Sequence, residues 1–89
     1  MFSASINVLD PSNYSVINSQ DKMFTNKKDL LMWIIKDHFD LLYDNYETEC
    51  ESFDEFVKEN DLNNIDKLVN YYETFQAYDS REYLAFFQD

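Results

Sequence analysis

The chain has 89 residues, 45% hydrophobic and 18% aromatic, with a formal charge of −11 and no glycine. That length supports one domain over residues 1–89, with a small core in which aromatic rings dominate. The charge disfavours direct contact with nucleic acid or an anionic membrane surface, and the missing glycines exclude phosphate loops, dinucleotide fingerprints and EF-hand loops.

Along residues 2–8, Phe2, Ala4, Ile6 and Val8 alternate with Ser3, Ser5 and Asn7, the period of a half-buried strand. Asp10, Pro11, Ser12 and Asn13 supply turn chemistry, with proline setting φ and the short polar side chains bonding the local backbone. A second extended run over residues 14–17 leads through Asn18, Ser19, Gln20 and Asp21 into a third short strand at residues 22–24, giving an antiparallel meander. Without glycine, any turn that needs positive φ is expected to use Asn or Asp, in the loops at Ser12-Asn13, Asn18-Ser19 and Asn63-Asn64.

Thr25 or Asn26 is placed to cap a long helix. Leu30, Leu31, Ile34, Ile35, His38, Leu41 and Leu42 share its apolar face. Asp37, Asp40 and Asp44 fall on the other face, with axial steps of roughly 4.5 and 6 Å, close to the spacing of phosphates along a nucleic-acid strand. Trp33 heads that acidic face, either as an interface anchor or partly buried beneath the strands. Residues 47–51 lose the apolar period and read as a link. Ser52 and Glu55 then form a capping box opening a short helix that buries Phe53, Phe56 and Val57. Asn60 or Asp61 is expected to cap the next helix, where Leu62, Ile65, Leu68, Val69, Tyr72 and Phe75 recur at three- and four-residue spacing.

At the C-terminus, Asp79 and Glu82 would cap a fourth helix, while residues 83–87 would also suit a strand added to the N-terminal sheet; the helix is favoured. The expected fold class is α+β: a short N-terminal antiparallel β-meander packed on three to four helices, with helix dominant.

The charge is concentrated. Residues 37–61 hold ten acids and one base, Lys58, a net of −9. The same segment carries Phe39, Leu41, Leu42, Tyr43, Tyr46, Phe53, Phe56 and Val57, too apolar for a disordered acidic tail. Solubility alone is served with less self-repulsion by a mixed-sign surface, so a one-signed field is expected to meet a basic partner. The candidate partner-binding residues are Trp33, Tyr43 and Tyr46 with Asp37, Asp40, Asp44, Glu47, Glu49, Glu51, Asp54, Glu55 and Glu59.

Other chemistry is not expected. His38 points away from Asp37 and Asp40, and with no second histidine and one cysteine the chain lacks a transition-metal ligand set or any cofactor motif. Cys50 suits a reducing compartment, its thiolate disfavoured by the charges of Glu49 and Glu51. No nucleophile has a local base, so the chain is not read as an enzyme. No apolar run is long enough to span a membrane, and the N-terminus lacks a signal-peptide pattern, which together predict a soluble cytoplasmic protein.

In its acidic run from Asp37 and Asp40 through Glu59, in its size and in its aromatic content, the chain resembles the compact acidic inhibitors encoded by bacteriophages and mobile elements: anti-CRISPR proteins, antirestriction proteins and uracil-DNA glycosylase inhibitors that mimic DNA. The resemblance is one of class and composition. It implies a stoichiometric inhibitor in the host cytoplasm, with carboxylates occupying the Lys/Arg-lined groove of a nucleic-acid enzyme and Trp33, Tyr43 or Tyr46 as apolar anchors. The other reading is a non-enzymatic interaction module or homodimer joined through the apolar faces of the long helix and of residues 62–75, its acidic surface merely solubilising.

Overall fold

A hairpin, three helices and a returning strand follow one another in a computed structural model that describes residues 2–75, 77–78 and 80–87. In chain order they are β1 (Phe2–Leu9), β2 (Val16–Phe24), α1 (Lys27–Asp44), α2 (Phe53–Glu59), α3 (Ile65–Glu73), β3 (Ala77–Tyr78) and β4 (Arg81–Phe86). The strands form one antiparallel sheet in the order β2-β1-β4-β3, in which β3 contributes two residues. The class is α+β, with helices and sheet sharing the chain rather than helix dominating.

The alternation of β1 appears as burial of Ala4 and Ile6. Two expectations fail at the strands. The second and third strands of the meander are one, β2, because residues 18–24 each pair with a residue of β1 and leave no room for a turn at Asn18-Ser19. Ser19 Oγ instead donates to Asn7 Oδ1 across the strands (2.7 Å), a cross-strand bond winning over local turn preference. The favoured C-terminal helix is also replaced: β4 pairs with β1 from Ser3↔Phe86 to Val8↔Arg81 and buries Tyr83. A short apolar run fits either period, and here an open edge of β1 decides. Asp79 lies outside the described residues, among which there is no fourth helix.

The helices start where side-chain acceptors meet free N–H groups. Asn26 Oδ1 accepts from the Asp29 N–H at 2.8 Å and opens α1. Ser52 Oγ accepts from the Glu55 N–H at 3.2 Å and opens α2, but the Glu55 carboxylate returns to the N–H of Glu51 (2.9 Å), one residue before the expected box partner. The cap of α3 is Asn64, not Asn60 or Asp61. Those two residues close α2: Asp61 takes φ 54°, its N–H reaches Lys58 O (3.3 Å), and the Leu62 N–H reaches Val57 O (2.9 Å). This Schellman ending drives Leu62 fully into the core beside Val57.

The buried side chains of the sheet and all three helices form a single cluster, and the Cα extents of 37 × 36 × 17 Å correspond to one sheet under one helical layer. Trp33 packs on Phe24 of β2 (ring centroids 5.6 Å) while Asp37 reaches Arg81 of β4 (2.9 Å). The first contact lies at the Phe2 end of β1 and the second at the Val8 end, so α1 runs over the sheet from one end of β1 toward the other. Among the described residues no helix is long and apolar enough to cross a membrane.

Candidate functional site

The site is built by the way α1 stops. The Tyr46 N–H bonds Tyr43 O (3.2 Å) and the Glu47 N–H bonds Leu42 O (2.8 Å), the two-bond ending that usually places glycine in the left-handed position. With no glycine in the chain, Tyr46 occupies it at φ 58°, at a cost of about 1 kcal/mol for the Cβ clash. Among the described residues three take positive φ: Asp61 is of the expected Asn or Asp type, though outside the loops named for it, while Tyr14 and Tyr46 are not. Tertiary packing sets where a helix ends, and the residue that falls there takes the strain. The turn throws Tyr46 outward, 95% exposed, with Tyr43 half exposed beside it.

Tyr43, Asp44, Tyr46, Thr48, Glu49, Cys50 and Glu51 line an open groove of about 520 Å³. Cys50 is buried at its base. Its N–H bonds Thr48 Oγ1 (3.2 Å) and its thiol donates to Glu59 Oε2 (3.0 Å). That hydrogen bond, followed by burial, raises the thiol pKa, so the group stays protonated and unreactive. The direction is as expected, but a hydrogen bond leads where general negative charge was invoked. Ligand atoms of Cys50, Glu55 and Glu59 lie within 4.8 Å of one another. Cys50 and Glu59 already satisfy each other, and thiolate ligation would need the deprotonation that this setting opposes.

Asp44, Glu49 and Glu51 line the groove, Glu55 and Glu59 adjoin it through Glu51 and Cys50, and these five with Glu47 and Asp54 of the same stretch are all exposed. Among the described residues, Asp44, Glu49, Glu51 and Asp54 make no salt bridge. These carboxylates and the two tyrosines form an acidic rim with aromatic walls.

Three of the sequence-derived site residues do not belong to it. Asp37 accepts from Arg81 Nη1 through both oxygens (2.9 and 3.0 Å) and from the Tyr83 hydroxyl (2.9 Å), with its side chain 23% exposed. It ties α1 to β4 and is neutralised. Asp40 is held by Lys36 Nζ at 2.7 and 2.9 Å, one turn back on the exposed face. The phosphate-like ladder of Asp37, Asp40 and Asp44 therefore has two of its three carboxylates engaged within the chain. Trp33 is partly buried against Phe24, with the Lys22 ammonium 5.4 Å from the Phe24 ring and 5.9 Å from the indole, so it packs against the strands and away from the groove. At ten residues up the helix it also stands about 15 Å from Tyr43.

His38 faces inward as its helical position requires, stacked on Phe75 with ring centroids 3.9 Å apart. Burial pushes its pKa down to about 4, against the opposing charges of Asp37 and Glu47, leaving a neutral ring at neutral pH. Arg81 and Tyr83 are the residues that sequence reasoning missed. Their signal was the i, i+2 spacing of a strand, which places both on the side facing α1. Comparison with family models, curated proteins and solved structures returns no match for this chain.

Proposed function

We propose that the protein is a stoichiometric, non-catalytic inhibitor that acts in the cytoplasm of a host cell, setting the carboxylates of residues 44–59 into the Lys/Arg-lined groove of a nucleic-acid enzyme in place of phosphates. The observation that carries this reading is the run of seven exposed carboxylates from Asp44 to Glu59, which shares its stretch with one base, Lys58, and lends Asp44, Glu49 and Glu51 to the groove of Tyr43 and Tyr46. Like charges held this close repel one another, and a basic surface relieves that repulsion on docking. Tyr43 and Tyr46 would add large contact area with few rotors to freeze, as aromatic anchors do at binding hot spots. Tyr46 keeps a strained backbone to stand there, and such strain collects at binding and catalytic sites.

The competing module or homodimer drew its support from apolar helix faces left unsatisfied within one chain. Leu30, Leu31, Ile34, Ile35, Phe39, Leu68, Tyr72 and Phe75 are buried in the core of the single chain, and Ile65 is the exposed residue of those two faces, which favours the acidic-surface reading.

The test is co-purification from a bacterial lysate at graded salt, with wild type beside a variant combining Asp44→Lys, Glu49→Lys and Glu51→Lys. The expected captures are nucleic-acid enzymes that weaken with salt as phosphate contacts do, that short duplex DNA displaces, and that the variant loses. Identical captures by the variant, with an unchanged salt dependence, would sink the proposal.

A further inference from the structure

Aromatic rings and carboxylates on the surface of this chain are elsewhere served by its own cations. Lys27 stands 4.6 Å from the centre of the Phe87 ring, and Lys36 both bonds the Asp40 carboxylate (2.7 and 2.9 Å) and lies 6.0 Å from the Phe53 ring. The groove has the same two ingredients in greater supply: the phenol rings of Tyr43 and Tyr46 and the carboxylates of Asp44, Glu49 and Glu51. Among the described residues no base bonds those carboxylates or lies over either ring. Both tyrosines are exposed, and Cys50 at the base is uncharged, its thiol donating to Glu59 (3.0 Å). A cation that completes the groove therefore has to come from a partner.

A planar guanidinium fits that combination better than an ammonium. Its donors lie in the plane and its faces carry none, so one group bonds carboxylates along its edge while a ring covers its face. An ammonium turned toward a ring gives up a donor. Lys36, held by Asp40, reaches Phe53 only at the outer limit of about 6 Å for such contacts. Guanidinium is also the more weakly hydrated of the two, so it loses less on leaving water for the ring faces of a groove that stays open. The groove volume of about 520 Å³ falls in the range of roughly 300–1,000 Å³ typical of small-ligand sites and admits one long side chain.

We infer that the groove is an arginine pocket: one arginine side chain of the basic partner lays its guanidinium on the tyrosine rings and donates along its edge to Asp44, Glu49 and Glu51. This rests on the reading of residues 44–59 as a partner surface and adds selectivity to it. Carboxylates that stand in for phosphates are met by lysine and arginine alike, whereas the groove prefers arginine. The preference does not depend on net charge, so salt that screens the rest of the surface leaves it in place.

Calorimetric titration of the full chain with two peptides of equal charge reads this directly: a short oligolysine, and the same peptide with its central lysine replaced by arginine. The arginine peptide binds about two- to fivefold tighter, the worth of one exposed cation–ring contact, and that ratio holds as salt weakens both peptides. In the NMR spectrum its arginine δ-methylene protons move upfield under the ring currents. Tyr43→Leu with Tyr46→Leu, at an unchanged circular dichroism spectrum, brings the ratio to one, and Asp44→Asn with Glu49→Gln and Glu51→Gln weakens both peptides. Equal binding of the two peptides by wild type, no binding of either up to about 1 mM, or a ratio that survives the tyrosine variant overturns the inference. Equal binding that falls with salt leaves the inhibitor reading standing without the pocket. An arginine preference beside a lysate experiment that captures no nucleic-acid enzyme keeps the pocket and removes the inhibitor reading.

Discussion

Asp37 and Asp44 lie seven residues apart on α1, within about 20° of the same direction around its axis, yet they do opposite things. Asp37 sits over the sheet, where Arg81 and Tyr83 of β4 close on it. Asp44 is in the last turn, exposed and without a salt bridge among the described residues. Helix geometry gives both the same heading. What stands opposite each one decides whether its charge binds the fold together or is left to face outward.

The largest effect expected from this contrast is on stability. Removing Asp37 strands a guanidinium that is 30% exposed, so Asp37→Ala should lower the unfolding free energy by about 2–3 kcal/mol. Asp44→Ala should stay within about 0.5 kcal/mol, as surface changes do. Asp40→Asn belongs with Asp44, because the Lys36–Asp40 pair is about half exposed and one helical turn long. Urea midpoints at constant m value make the comparison, and equal losses at Asp37 and Asp44 would abolish the distinction between them. A double cycle of Asp37→Asn and Arg81→Gln sharpens it, with a coupling of about 1–3 kcal/mol expected.

His38 carries the next effect, on the same inward side of α1. Its folded pKa of about 4 lies below the unfolded 6.5, so between these values the unfolded chain binds a proton that the folded chain does not. Stability supplied by the neutral ring is therefore complete above pH 6.5 and is lost as pH falls toward 4, by on the order of 2 kcal/mol once part of the shift is discounted for nearby solvent. Chemical denaturation at pH 7, 5.5 and 4.5 should show wild type losing stability more steeply than His38→Gln. Parallel slopes would mean that another group carries the acid response.

These contrasts also mark what could be read from residues alone. Local signals were legible: the period of β1, the Asn26 and Ser52 caps, the inward face from Leu30 to His38, and an acidic link at residues 47–51, because each depends on neighbours within a turn or two. The site was legible as composition but not as a surface. Favouring a helix for Arg81–Phe86 removed the strand whose i, i+2 spacing aims Arg81 and Tyr83 at α1, and so Asp37 was counted with the outward acids. The Trp33 packing on Phe24 and the Asp37 cross-link join residues 9 and 44 positions apart, and pairing at that distance is chosen by tertiary packing.

The smallest expected effect concerns Tyr46, where the outward region itself departs from what favours the fold. At φ 58° glycine avoids the Cβ clash and loses more chain entropy on folding, so Tyr46→Gly should stabilise by about 0.5–1 kcal/mol. Tyr46→Ala keeps the clash and should leave stability near wild type, while both variants remove a side chain that is 95% exposed. If the ring anchors a partner, both should lose capture at fixed salt, and Gly should lose it while melting higher, since the strained tyrosine is retained for contact and not for the helix ending. Capture unchanged in both would leave the strain without a functional reason and move the anchor to Tyr43. Loss in Gly with retention in Ala would instead mean that the rim depends on a stiff backbone turn, and that the carboxylates of residues 47–51 need it to hold their positions.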